Sequence, residues 1–243
     1  MVIDINCDVG EGIGNERLIL PYISSCNIAC GAHAGDIATI NEVISLAIEN
    51  KVKIGAHPSF PDRENFGRKV LNITHKELQI SLEEQITLMQ ERVQLQHTKL
   101  YHIKPHGALY NLAVVDREVA RVIVKVVLQV DKSLFLYVPF NSIIAKEALY
   151  AGLSVKYEAF ADRNYNADLT LVSRNLPNAL LESPEDVFKH VITMLEEQKV
   201  KTITNEMISI KADTFCIHGD TDNAAYVVQY LYKGLTEKGI KIV

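Results

Sequence analysis

The chain has 243 residues, 48% of them hydrophobic and 23% charged, with only 12 glycines and 7 prolines. That length and composition suit one large globular domain over residues 1–243, able to bury roughly 70–75% of its unfolded surface, and exclude a disordered or solenoid chain. A formal net charge of −5 without any cluster of Lys and Arg is the wrong footprint for nucleic acid.

The first strand is predicted at Val2–Asn6, in a segment (MVIDINCDVG) too acidic and too short of apolar residues to read as a secretory signal. A Gly-rich loop, NCDVGEG, follows with Asp8 and Glu11. The second strand is predicted at Asn27–Cys30 and runs into GAHAGD, where Asp36 can cap a helix whose apolar face is Ile37, Ile40, Ile44, Ala47 and Ile48. A third strand at Val52–Ala56 leads to His57 and the long aromatic and polar stretch HPSFPDRENFGR, read as a substrate lid or a contact surface. Thr74-His75-Lys76-Glu77 is a capping box, followed by a stripe of Leu78, Leu82, Ile86, Met89 and Val93.

The fourth strand, Leu100–Lys104, runs into KPHGALYN. The most apolar helical stretch, VARVIVKVVLQV (119–130), is interrupted by Arg121 and Lys125, so no membrane span is expected. Next come a strand at Leu134–Val138, a helix capped by Asn141 and ended by Gly152, and a strand at Val155–Glu158 that runs into FADRNY. A weaker strand-like run lies at Leu169–Val172, and Ser183-Pro184 starts another helix. Residues 201–212 break the rhythm and read as a hairpin around Asn205-Glu206, before a last strand at Thr214–His218 and the motif HGDTDN. Cys7, Cys26, Cys30 and Cys216 lack C-x-x-C spacing and fit reduced, mostly buried thiols in a cytoplasmic protein.

Strands alternating with helices, without a Pro- or Gly-rich linker, imply a parallel sheet with helices outside it. A closed β/α barrel accounts for the pattern best, with an open doubly wound sheet second. In a barrel, positions just past the C-terminal strand ends converge on one face. His33, His57, His106 and His218 all occupy such positions, the first two in matching Gly-Ala-His settings.

Asp8, His33 and His57 offer the mixture of imidazole and carboxylate that suits a divalent first-row metal. Asp8 and Glu11 can equally serve as an acid–base pair, or sit in a solvated turn. Lys104 can stabilise an oxyanion and His106 can move a proton. His218 and Asp220 end the last strand, with Asp220 a catalytic group or only a helix cap. Arg68, Arg163 and Tyr165 are candidates for holding substrate, and Arg163 suits either a bidentate grip on a carboxylate or an ion pair with Asp162. There is no G-x-x-x-x-G-K-[ST] phosphate cradle and no G-x-S-x-G nucleophile elbow.

Taken in order, INCDVGEG, SSCNIACGAHAGD, IGAHPSFPDRENFGR, HIKPHGALYN, FADRNY and IHGDT resemble the LamB/YcsF family, the A-subunit family of the prokaryotic ATP-dependent 5-oxoprolinase. The resemblance runs from Ile5 to about Thr221. It implies a seven-stranded β/α barrel of the glycoside hydrolase/deacetylase type. It also implies opening of the lactam of 5-oxo-L-proline to L-glutamate, with ATP and Mg2+ as co-substrate and subunits B and C as partners. Metal ligation by Asp8, His33 and His57 rests on analogy with the deacetylase barrels. Ala32, before the histidine, and Ser59, after His-Pro, depart from the family pattern and bear on substrate range. Other functional classes compatible with the motifs are a stand-alone metal-dependent deacetylase or amidase and a non-catalytic binding subunit.

Overall fold

The computed structural model describes residues 1–221 and 223–243. Seven parallel strands close into a barrel: β1 (Val2–Val9), β2 (Ser25–Ala29), β3 (Lys53–His57), β4 (His102–Ile103), β5 (Phe135–Pro139), β6 (Val155–Phe160) and, after a hairpin, β9 (Thr214–Ile217). β9 pairs with β6 on one side and with β1 on the other, and this closes the ring. The hairpin, β7 (Lys199–Lys201) with β8 (Met207–Ser209), is antiparallel and stands outside the barrel, where residues 201–212 were expected to form one. A short β10 (Lys241–Ile242) adds to the outer start of β1.

A single turn, α1 (Glu16–Ile19), links β1 to β2. Most of the longer helices begin where side chains satisfy their first backbone N–H groups. Asp36 accepts from the Thr39 amide at the start of α2 (Ile37–Glu49), and Thr74 and Glu77 complete the capping box of α3 (His75–Leu95). α4 (Gly107–Val115) starts straight after the KPH motif, and Asp116 caps α5 (Arg117–Asp131). Ser142, not Asn141, caps α6 (Ile143–Tyr150), because Asn141 takes a left-handed turn at φ 63°. Ser183 caps α7 (Pro184–Glu197), and α8 (Ala224–Glu237) follows the last barrel strand.

Two sequence expectations shift. On α2 the buried face is Ile40, Val43, Ile44, Leu46 and Ala47, while Ile37 and Ile48 are exposed at the helix ends. The Leu169–Val172 run adds no barrel strand. Leu171 bridges back to Tyr165 in its own loop, and the Arg163 guanidinium ties that loop to the carbonyls of Val172 and Ala179.

The period of two along β1 puts two different surfaces back to back. Ile3, Ile5, Cys7 and Val9 join the apolar core, whereas Asp4, Asn6 and Asp8 hydrogen-bond across the barrel interior. Barrel lumens are usually filled by branched apolar side chains; this one is filled by polar ones. Asp4 accepts from Ser24, Ser25 and Thr214 near the strand starts. One layer higher, Asn27 donates to both Asn6 and Asp8, and the His102 ring stacks on Tyr137 with centroids 3.8 Å apart. The glycine at position 55 makes room for that ring, since a Cβ there would lie 2.1 Å from His102 Nε2. All four cysteines are buried and free. Among the described residues, no helix is long and apolar enough to cross a membrane.

Candidate active site

At the C-terminal end of the barrel the strand tips surround a cavity of about 480 Å³. β1 is longer than expected, so Asp8 projects from the strand itself, and Glu11 follows in the Gly-rich loop. His57 is the last residue of β3, and His106 comes three residues after β4. One ligand atom from each of Asp8, Glu11, His57 and His106 lies within 4.8 Å of the others.

The hydrogen bonds behind these rings decide what faces the centre. His57 Nδ1 lies 2.7 Å from the Lys104 carbonyl, and His106 Nε2 lies 2.9 Å from the Phe66 carbonyl. A carbonyl can only accept, so each of those nitrogens carries the proton and the other nitrogen carries a bare lone pair. The two bare nitrogens, His57 Nε2 and His106 Nδ1, face each other at 2.9 Å. Asp8 Oδ2 lies 3.4 Å from His57, and Glu11 Oε1 lies 3.5 Å from His106. Four acceptors pointed at one another without a donor repel unless a cation sits among them. The set therefore fits a divalent ion by its own chemistry, and two imidazoles with two carboxylates suit a first-row metal.

His33 stands one step behind this group. Its ring stacks on His106 at 3.9 Å, and its bare Nε2 reaches only Glu11, at 3.5 Å. Asp8 and His57 of the expected metal set belong to this quartet, and His33 lies outside it. Glu11 and His106, read from sequence as catalytic, complete the group. Ser59 gives its hydrogen to the Phe60 carbonyl and accepts from His33 Nδ1 at 2.9 Å, so Ser59 sets the tautomer of His33. Burial pushes the His33 and His106 imidazoles below their usual range, which keeps both rings neutral. The stretch after His57 is packed rather than free. Phe60 is buried, Phe66 meets the His33 and His106 rings edge-on, and Arg63 binds the carbonyls of Gly31 and Gly35.

Lys104 is fully committed inside the barrel, which narrows its expected role. Its Nζ is 2.9 Å from Asp8, 3.0 Å from Glu158 and 3.0 Å from the Cys216 sulfur. Burial alone would lower the ammonium, but Asp8, Cys216 and Glu158 hold it well above the usual lysine range. Burial alone would raise Asp8, but the Lys104 ammonium 2.9 Å away holds its carboxyl well below the usual one. A lysine bound in this way neutralises the carboxylates; it does not reach out to an oxyanion.

Just past the neighbouring strands β6 and β9, Asp162 pairs with His218 and not with Arg163. His218 Nδ1 lies 3.0 Å from each Asp162 oxygen, and its backbone amide donates to Oδ2 at 2.9 Å. Burial would raise Asp162, but His218 holds it below the usual carboxylate range. The proton on Nδ1 leaves His218 Nε2 as a free base in the cavity wall. Arg163 and Tyr165 line the cavity, and the backbone takes part of the Arg163 fork that was expected to grip a carboxylate, while the Tyr165 hydroxyl keeps its hydrogen to donate. Arg163 spends Nε and Nη2 on backbone carbonyls, and the Tyr165 hydroxyl accepts from the Phe160 amide at 2.6 Å. At the mouth, Arg68 and Arg174 share Oδ2 of Asp220, two cations on one anion. Asp220 thus joins loops across the mouth and caps no helix; the α8 start at Asn223 has no side-chain cap.

Sequence reading missed Arg174, Glu158 and Tyr110, all of which line the cavity. Glu158 carried a usable signal: an acidic residue at an inward position of a strand is rarely placed there for packing. Arg174 sits in an irregular loop and carried none.

Residues 3–243 match the sequence profile of the LamB/YcsF family. The 5-oxoprolinase A subunit of Pyrococcus horikoshii is 40% identical over 248 residues, covering 100% of this chain and 97% of that protein. The protein of the same name from Tolumonas auensis is 40% identical, covering 99% and 98%. The crystal structure of the lactam utilization protein from Thermus thermophilus superposes with a TM-score of 0.94 at 36% identity, covering 100% of this chain and 99% of that one. The peptidoglycan deacetylase PdaC of Bacillus subtilis, at 10% identity and a TM-score of 0.52, shares the barrel fold. Matched from Ile3 to its last residue, the chain belongs to the LamB/YcsF family.

Proposed function

We propose that this chain is the lactam-binding subunit of an ATP-dependent 5-oxoprolinase that opens 5-oxo-L-proline to L-glutamate together with subunits B and C. The observation that carries the reading is the quartet of converging acceptors in the cavity, whose wall also holds His218 with Asp162 bonded to it. Relatives named as 5-oxoprolinase subunits and a relative named for lactam utilization support the choice of substrate.

A lactam carbonyl is a poor electrophile, and phosphorylation of its oxygen by ATP with Mg2+ activates its carbon; water then adds, the ring nitrogen takes a proton and leaves as the C–N bond breaks, and a second water hydrolyses the resulting acyl phosphate to L-glutamate and phosphate. Asp8, Glu11, His57 and His106 would hold a divalent cation, which supplies Lewis-acid polarisation of a substrate oxygen when bound. His218 Nε2 takes the proton of the attacking water, and Asp162 keeps the ring in the required tautomer. Arg68 and Arg174 attract the substrate carboxylate to the mouth, where their two charges exceed that of Asp220. Arg174→Gln is accordingly expected to raise KM for 5-oxoproline by about 10-fold with kcat nearly unchanged. A matching loss in kcat alone would remove Arg174 from substrate capture.

The deciding experiment measures glutamate release from 5-oxoproline by the purified chain, with and without ATP and with and without the two partners. With no phosphate cradle in its sequence, the chain alone should release none above the buffer control, and the complete mixture should turn over. The quartet is also what a stand-alone metal-dependent amidase would need. Turnover by the isolated chain without ATP would establish that reading instead.

A further inference from the structure

Two polar atoms in the cavity wall, both shut off from water, have no partner beyond a marginal contact with each other. They are Glu158 Oε2 and the Tyr110 hydroxyl. Buried polar atoms are nearly always hydrogen-bonded, and an unsatisfied one carries a desolvation cost of about 1–3 kcal/mol. Among the described residues, other unpartnered side-chain atoms lie away from the cavity, such as Asp62 Oδ2 and Arg92 Nε. Others belong to groups already described, such as Glu11 in the quartet and Asp220 between its arginines.

Both groups are held rigidly. Asn6 donates to Glu158 Oε1 at 2.9 Å and Lys104 approaches the same oxygen at 3.0 Å, so one oxygen is saturated and the other is left over. Tyr110 sits in the first turn of α4, its ring edge-on to Phe160 with centroids 5.7 Å apart. Burial, and then the Glu158 carboxylate beside it, push the Tyr110 phenol well above its usual range, so its hydroxyl keeps its proton. The pair therefore presents a bare acceptor next to a donor.

The matching ligand shape is a donor next to an acceptor on one edge. A five-membered lactam has it: the ring forces the amide cis, so its N–H and C=O point the same way. An open-chain trans amide points them apart. The geometry points to Glu158 and Tyr110 as the subsite that recognises the cis-amide edge of a lactam, with Glu158 Oε2 accepting its N–H and the Tyr110 hydroxyl donating to its carbonyl. This rests on the lactam reading above and adds the residues that make the site selective for an unsubstituted ring amide.

The test titrates the full chain, alone and assembled with its partners, with 5-oxoproline and with N-methyl-5-oxoproline, and follows thermal unfolding of wild type and Tyr110→Phe. Wild type should prefer 5-oxoproline by about 10- to 100-fold, since the methyl group leaves a buried carboxylate oxygen unpaired. Tyr110→Phe should weaken 5-oxoproline binding by about 3- to 10-fold while its melting temperature stays level, because the hydroxyl it removes makes only a marginal contact with Glu158 in the fold. A fall in melting temperature with unchanged affinity would make the hydroxyl a structural partner of Glu158 and overturn the subsite. Equal binding of the two lactams would overturn it while leaving the lactam reading intact. Binding of neither lactam in either form of the protein would sink the lactam reading itself.

Discussion

Exchange of His106 for alanine is expected to lower turnover of the assembled enzyme by at least about 100-fold and to abolish binding of a divalent cation by the chain. The imidazole supplies one of the two bare nitrogens that face each other at 2.9 Å, and its orientation is locked by the Phe66 carbonyl. Without it, three of the four converging groups remain, and a first-row metal held by two carboxylates and one imidazole is bound far more weakly. The measurement is metal content after equilibration with Zn2+ or Mn2+ and desalting, alongside glutamate release. His33→Ala provides the contrast: its free nitrogen reaches only Glu11, so the variant should still bind the ion. Full metal content and full activity in His106→Ala would remove the quartet from the mechanism.

Lys104→Met should produce the largest loss of stability of any single change near the site. The ammonium is 2% exposed and lies between Asp8 and Glu158, both buried. Removing one partner from a buried ion pair leaves its counter-charge uncompensated, at a cost of about 3–5 kcal/mol, a large part of a total stability of about 5–15 kcal/mol. For a chain of this size the melting temperature should fall by roughly 10 °C. The double variant Lys104→Met/Glu158→Gln should recover part of that loss, because one of the two stranded charges is gone.

The pH profile should move as well. In wild type the Asp8 carboxyl is held below its ordinary value, so its stabilising contribution is present at neutral pH and is lost as pH falls through the folded-state value. Without the ammonium that value rises, and the acid limb of the stability profile moves to higher pH. A melting temperature within about 2 °C of wild type would contradict the whole account of the lumen.

Much of the fold was legible because its signals are local. A capping box at Thr74–Glu77, an aspartate before a 3.6-residue stripe, and β-branched runs ending in Gly-Ala-His each depend on residues within a few positions of one another. Strand–helix alternation then leaves few topologies, and the closed barrel is one of them. The same locality marked the strand tips as the place for chemistry, and there the structure brings His57, His106 and His218 around one cavity.

What remained hidden depends on which way a side chain faces and what stands behind it. Asp8 and His57 were visible as ligand candidates, but only the tertiary structure brings Glu11 and His106 within 4.8 Å of them. Arg163 reads as a carboxylate grip in FADRNY, yet its guanidinium is taken by carbonyls 9 and 16 residues further on, which no local pattern announces. Lys104 looked like a free cation at a strand end until the barrel closed and set it between carboxylates of β1 and β6, the two strands that flank β9. Sequence by itself determined the elements, their order and the face that carries the site, because those follow from period and capping. Tertiary structure alone decided the tautomers, the charge pairing and the unpartnered atoms, because each is set by contacts between residues 26 to 152 positions apart.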